Sequence, residues 1–214
     1  MARPAVAATA NPGLQAPVSE VQRPQLERSD RVKLLFIGPP GAGKGTQAGK
    51  VAGRLGIPHV STGDMFRDHV ARGTDLGKRV DEIMKAGDYV PDEVTVAMLS
   101  ERIAQDDARA GLILDGFPRT EAQVESLDEL LGEGGLDHVV VFEVDEDMLT
   151  ERLLERGRAD DTEETIRIRF RIYLEQTQPL IDIYRERGIT VFVDGIGEVE
   201  EVTERILAKL DASS

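Results

Sequence analysis

The feature that most constrains this chain is the run Gly38-Pro39-Pro40-Gly41-Ala42-Gly43-Lys44-Gly45-Thr46, which directly follows the apolar segment Lys33–Ile37 and opens a helix-patterned stretch. Strand, glycine-rich turn and helix in that order belong to a parallel sheet with helical crossovers. The glycines let successive main-chain N–H groups converge on one point, where the helix N-terminus adds partial positive charge. Such a turn cradles phosphate, with Lys44 reaching the terminal phosphates and any side chain at Gly41 or Gly43 obstructing the approach. A glycine-rich turn with a surface lysine is the plainer alternative, but strand, spacing and helix together tell against it. The residue after the lysine is usually Ser or Thr in this motif, whereas here Gly45 stands there and Thr46 follows, so the usual magnesium hydroxyl is displaced by one position. Gly45, Gly49 and Gly53 recur every four residues. Each costs about 1 kcal/mol against Ala inside a helix, so the stripe predicts close packing on the sheet.

Composition narrows the ligand rather than the fold. A net charge of −14 over 214 residues argues against broad binding to nucleic acid or to an anionic membrane, both of which call for a basic face. A small anion is still admitted, because distant carboxylates are screened over a Debye length of about 8 Å and only local charges count. Cysteine is absent and His59, His69 and His138 lack ligand-like spacing, which excludes a disulfide framework and a zinc module. With no run of about 18 apolar residues and no secretory leader pattern, the chain reads as soluble and cytoplasmic. Residues 1–30 carry Pro4, Pro12, Pro17 and Pro24 without sustained periodicity and read as a disordered extension. Glu20, Glu27 and Asp30 argue against an organelle transit peptide there.

From Arg31 onward, short apolar runs alternate with helical periodicity, as in an α/β fold. Strands are expected at Lys33–Ile37, His59–Val60, Leu112–Leu114, Val139–Val144 and Thr190–Val193, and helices over 44–55, 64–71, 75–86, 92–106, 120–131, 146–156, 162–187 and 198–210. Asp161 followed by Glu164 predicts a cap for the helix near Thr162. Two segments break the alternation, 61–90 and 157–161, and read as mobile covers over the sheet, with Gly63, Gly73, Gly77, Gly87 and Gly157 as hinges. The acidic run Glu143, Asp145, Glu146, Asp147 and Glu151 reads as a helix start with favourable dipole placement. Glu198, Glu200, Glu201 and Glu204 read as a solvated helical face, and the three histidines as structural or surface residues.

A second anion site follows Leu112-Ile113-Leu114-Asp115. A strand-terminal carboxylate beside a phosphate cradle commonly orients Mg²⁺ or its waters. The loop Gly116-Phe117-Pro118-Arg119 then presents a guanidinium beyond the carboxyl edge of the sheet, where ligands of open α/β sheets bind.

Gly38–Thr46, Ser61-Thr62-Gly63-Asp64-Met65-Phe66-Arg67, Leu114-Asp115-Gly116-Phe117-Pro118-Arg119 and Gly157-Arg158-Ala159-Asp160-Asp161 occur in an order and spacing that resemble the adenylate kinases, over residues 32–212. The stretch 157–161 resembles the short-lid form. The resemblance implies a P-loop NTPase-type parallel sheet of about five strands flanked by helices, with an NMP-binding segment at 61–90 and a short lid at 157–161 inside a domain spanning 31–214. It implies reversible phosphoryl transfer from Mg·ATP to AMP, giving two ADP, in the service of adenine nucleotide homeostasis.

By the same resemblance, Gly41, Ala42, Gly43, Lys44, Gly45, Thr46, Arg152, Arg156 and Gly197 fall at ATP positions. Thr62, Arg67, Met84, Asp88, Tyr89, Val90, Gly116, Phe117, Pro118, Arg119, Gln123, Arg158 and Arg169 fall at AMP positions. Lys44, Arg119, Arg156, Arg158, Arg169 and Asp115 are implied as the catalytic set, with Mg²⁺ held mainly by ATP phosphates and waters and Asp115 as its outer partner. Phosphoryl transfer independently calls for such cations, since it is mainly positioning and charge neutralisation. Arg167, Arg171, Arg185 and Arg187 read as solvated. The resemblance also implies a monomer.

Alternatives remain. The Gln123 amide could pair with an adenine edge or, rotated, with a pyrimidine edge, which leaves UMP or CMP as acceptors. A P-loop switch lacks its Asn-Lys-x-Asp guanine reader here, and a silent nucleotide sensor is opposed by Lys44, Asp115 and Arg119.

Overall fold

The computed structural model describes residues 32–158 and 161–213, with the backbone alone at 146 and 147. The expected extension 1–30, and Ala159 and Asp160 of the expected lid, lie outside the described residues. The strands β1 (Val32–Ile37), β2 (His59–Ser61), β3 (Gly111–Asp115), β4 (His138–Glu143) and β5 (Thr190–Asp194) form one parallel sheet in the order β2-β3-β1-β4-β5. The helices are α1 (Lys44–Leu55), α2 (Thr62–Ala71), α3 (Asp75–Ala86), α4 (Asp92–Ile103), α5 (Glu121–Leu131), α6 (Glu146–Arg156), α7 (Glu163–Ile172), α8 (Leu180–Glu186) and α9 (Val199–Ala212).

Strand side chains alternate between faces, so the apolar run of β1 feeds two cores. Leu34 and Phe36 pack with Ala48 and Val51 of α1 and Val202, Ile206 and Leu210 of α9. Leu35 and Ile37 face Leu99 of α4, Val124 and Leu127 of α5 and Tyr184 of α8. Each fully buried Leu or Phe contributes about 1.5–3 kcal/mol. β1 sits between β3 and β4, with Leu34 opposite Ile113 on one side and His138 on the other. The chain leaves β1 for β2 by way of α1, and leaves β3 for β4 by way of α5. These right-handed crossovers travel in opposite directions, which opens a crevice beyond the carboxyl ends of β1 and β3.

Several expectations are corrected. The helix expected over 162–187 divides: after Ile172 the segment Tyr173–Thr177 widens into a π turn, where the Gln178 N–H donates to the Tyr173 carbonyl at 2.9 Å. Pro179, with no N–H to give, separates that turn from α8. The helix expected over 92–106 ends at Ile103, and Asp106–Ala110 is a 3₁₀ turn. Thr162, not Asp161, caps α7, its hydroxyl accepting from the Thr165 N–H at 3.2 Å. Gly49 and Gly53 face solvent, and the buried stripe of α1 is Gln47, Ala48, Val51 and Ala52. Glu200 and Glu204 face α1, pairing with Lys50 at 3.4 Å and Arg54 at 2.5 Å, while Glu198 and Glu201 form a capping box. Gly77 is no free hinge: a Cβ there would collide with the His69 carbonyl, so it lets α3 pack tightly on α2.

Candidate active site

The turn after β1 is built as its sequence demands. Gly41 and Gly43 adopt φ of 84° and 86°, which side chains rarely tolerate. A Cβ at Gly41 would lie 2.8 Å from the Leu149 carbonyl oxygen, whereas one at Gly43 would meet nothing, so Gly43 is demanded by its backbone angle and not by crowding. Lys44 opens α1 and folds back, its ammonium donating to the carbonyls of Gly38 at 2.7 Å and Pro39 at 2.9 Å. Burial pulls its pKa down to about 8; Asp115 opposes the fall, while Arg119 and Arg156 add to it. A Cβ on Gly45 would stand 3.3 Å from Asp115 Oδ2, so the departure from Ser or Thr leaves room beside that carboxylate.

Asp115 ends β3 next to the cradle. Burial works to raise its pKa, but the His59 contact and the Lys44 and Arg119 charges outweigh it and hold the carboxyl below the usual range. His59 Nε2 lies 3.4 Å from Asp115 Oδ2 without hydrogen-bond geometry. Among the described residues no group of three or more acidic or histidine side chains could hold a metal ion. A single strand-end carboxylate such as Asp115 suits an ion whose other partners come from a bound ligand.

The guanidinium groups are gathered by carboxylates and carbonyls. Arg119 Nε donates to the Gly116 carbonyl at 2.7 Å, and its guanidinium carbon lies 4.8 Å from the centre of the Tyr89 ring. Thr177, delivered by the π turn, donates to the Arg119 carbonyl at 2.9 Å and meets the Tyr89 hydroxyl at 3.0 Å. The buried Asp161 carboxylate accepts from Arg156 at 2.9 and 2.7 Å, from the Arg158 main-chain N–H at 3.2 Å and from Arg169 at 3.1 Å. Burial pushes that carboxyl up, and its arginine partners more than reverse the effect. Asp64 pairs with Arg67 and lies 3.8 Å from Arg158. Thr62 donates to the Gly116 carbonyl at 2.9 Å, tying the start of α2 to the loop after β3.

These groups line a cleft of about 730 Å³. Of the residues expected at nucleotide-binding or catalytic positions, every one but Phe117 lines it, including Arg152, Gly197, Met84, Asp88, Tyr89 and Val90. Phe117, fully buried, turns into the core behind the sheet, and the bond to Pro118 is cis. Arg167, Arg185 and Arg187 are paired with Glu163, Asp182 and Asp128 away from the cleft.

Sequence reasoning missed Asp161, whose acidity close to Arg156 and Arg158 was a usable signal read instead as a cap. It also missed Gln47, which donates to the Val199 carbonyl at 2.9 Å and accepts from Thr203 at 2.7 Å. His59, Tyr173 and Thr177 also line the cleft, and nothing local in the sequence marked the last two.

The adenylate kinase family model matches residues 36–189, which carry the end of β1, the cradle, Asp115 and all six arginines that line the cleft. A protein named adenylate kinase from Clavibacter michiganensis subsp. michiganensis is 54% identical over 184 residues, covering 83% of this chain and 92% of its own length. Proteins of the same name from Thermobifida fusca and Nocardioides sp. are 52% and 54% identical, covering 84% of this chain and 98% and 97% of their own lengths. No described helix is long and apolar enough to cross a membrane. With the cradle, the strand-end carboxylate and the arginines gathered in one cleft, and similarity running almost the full length of these relatives, the chain belongs to the adenylate kinase family.

Proposed function

We propose that the cleft transfers the γ-phosphoryl group of ATP reversibly to AMP, giving two ADP. The reading rests on one observation above all: Lys44, Arg119, Arg156, Arg158 and Arg169 converge on a single cleft beside Asp115. Five cations in one crevice of a chain of net charge −14 suit a reaction whose reactants are polyanions.

In this reading ATP lies along Gly41–Thr46, with Arg152 and Gly197 at its base and Arg156 closing over its phosphates. AMP lies against Thr62, Arg67, Gly116, Pro118 and Gln123, with Met84, Asp88, Tyr89 and Val90 around its base. An AMP phosphate oxygen attacks the γ-phosphorus while the bond to the β–γ bridging oxygen breaks, and ADP leaves with that oxygen. No proton needs to move, so the chain's work is positioning and neutralisation. Lys44 exchanges its two carbonyl partners for phosphate oxygens. Arg119, Arg158 and Arg169 bridge the two phosphate chains, with Asp161 holding the Arg156 and Arg169 guanidinium groups in register. Asp115 would hold the waters of an ATP-borne Mg²⁺, which when bound would supply further neutralisation of phosphate charge.

Water would compete as acceptor, so the cleft must close. The segment 61–90 and the short lid at 157–161 serve as the covers. The reading extends to a cytoplasmic monomer, since the reaction needs a compartment that holds ATP; light scattering in solution tests the monomer.

The test is a coupled assay of Mg·ATP consumption with AMP, UMP, CMP or no acceptor at matched concentrations. Strong preference for AMP with little turnover in its absence is expected. A pyrimidine preference would overturn the acceptor, and silence with all four would overturn the activity.

A further inference from the structure

In sequence Gln123 is ambiguous, because a glutamine amide can turn over, and turned over it reads a different base. The structure removes that freedom in this chain. Gln123 is only 2% exposed, and both ends of its amide are already engaged. Oε1 accepts from the Arg119 main-chain N–H at 2.8 Å, and Nε2 donates to Asp92 Oδ1 at 2.5 Å. The two neighbours are of opposite kind. A main-chain N–H can only donate, and a carboxylate accepts. Turning the amide would set oxygen against the carboxylate and N–H against N–H, losing both hydrogen bonds at a nearly buried group.

Asp92 is itself held in place. It is the first residue of α4, directly after Pro91, and its other oxygen accepts from Thr120 Oγ1 at 3.2 Å. Thr120 also caps α5, accepting from the Gln123 N–H at 3.2 Å. Asp92, Thr120 and Gln123 therefore form a closed set spanning the start of α4 and the start of α5.

We infer that Asp92 is a positioning residue that locks the Gln123 amide in one orientation and thereby sets the acceptor base as a 6-amino rather than a 6-oxo purine. The inference rests on the proposed contact between Gln123 and the acceptor base. An amide oxygen has a second lone pair and the amide nitrogen a second hydrogen, so one acceptor and one donor remain for the ligand. Adenine offers an amino donor beside a ring-nitrogen acceptor, which matches that order. A 6-oxo purine of the same size places a carbonyl where the amino group was, and only a turned amide would satisfy it. The lock thus excludes 6-oxo purines by chemistry where shape cannot.

The experiment measures kcat/KM with AMP and with IMP for the full-length protein and for Asp92→Asn, Asp92→Ser and Gln123→Leu. Asparagine is the same size and pairs with the amide either way round; serine withdraws the carboxylate altogether and keeps a residue suited to a helix start. The AMP-to-IMP ratio is expected to fall about tenfold in both Asp92 variants, mostly through the KM values of the acceptors, with KM for ATP within about twofold of the parent. A purely structural role would lower kcat or stability and leave the ratio alone. A ratio that holds in a folded Asp92 variant while Gln123→Leu collapses it would overturn the lock. A ratio unmoved by Gln123→Leu would overturn the proposed base contact and the lock with it.

Discussion

The two ends of the cleft are built on opposite plans. At the phosphate end, Lys44 rests on two main-chain carbonyls, Arg119 on a third, and Arg156 and Arg169 on the Asp161 carboxylate. At the end where Gln123 stands, the polar groups are bound to one another, through Arg119 N–H, Asp92 and Thr120. Phosphate oxygens bring a full opposite charge that a carbonyl lacks, so they would outcompete carbonyls for Lys44 and Arg119. The phosphate end therefore holds Lys44 and Arg119 on replaceable partners, while Arg156 and Arg169 rest on a carboxylate. The other end is finished before any ligand arrives, which costs no reorganisation on binding.

The largest test of that contrast is Lys44→Met. We expect kcat to fall by about 10²–10³-fold, as for loss of one charge-stabilising donor. KM for AMP should stay within a few fold and the melting temperature should not drop, since the lost group is a desolvated cation. Steady-state kinetics and thermal melting read both; a matching collapse of AMP binding would show that the two ends are not separable.

Asp161→Asn comes next. It keeps the shape but removes the charge that gathers Arg156 and Arg169, and kcat should fall on the order of tens-fold through misplaced guanidinium groups. Unchanged kcat would show that the arginines are organised by phosphate alone.

A pH profile sharpens the contrast further. The folded protein holds Lys44 near pKa 8 against 10.5 for a free lysine, so the unliganded cradle loses its charge as pH rises through about 8. The kcat/KM for ATP should decline about tenfold from pH 7 to 9, while kcat holds because bound phosphates restore the proton. The unfolded chain keeps that proton longer, so the free protein gains stability from Lys44 between about pH 8 and 10.5. A decline in kcat with the same midpoint would break this account. The smallest effect is expected of Thr120→Val, which removes the α5 cap at a cost of about 1 kcal/mol and lowers the melting temperature by about 2–4 °C. Its kcat should stay within about twofold.

What the sequence conveyed depended on how local the responsible interaction is. The cradle is a run of neighbours, its glycines dictated by main-chain angles at Gly41 and Gly43, and it was legible as written. So was the carboxylate closing β3, because an apolar run ending in Asp marks the strand's carboxyl edge. The π turn at Tyr173–Thr177 was not legible: its residues carry helical periodicity, and the partner that Thr177 meets, the Arg119 carbonyl, lies 58 residues away in the chain. Asp161 shows a subtler failure, in which a correct local rule, that an acid before a helix caps it, lost to Arg156 and Arg169 competing for the same carboxylate.

By itself, then, the sequence determined the parallel α/β architecture and the phosphate cradle with Lys44, because strand periodicity and glycine angles are properties of short stretches, while most of the site arginines were implied by family resemblance and not by local charge. Only the tertiary structure decided which carboxylate gathers which arginine, which face of α1 is buried and which way the Gln123 amide points. Some of those outcomes join groups distant in the chain, as Gln47 with Thr203 across 156 residues and Gln123 with Asp92 across 31, and others are contests among near neighbours around Asp161, and no local pattern records who wins.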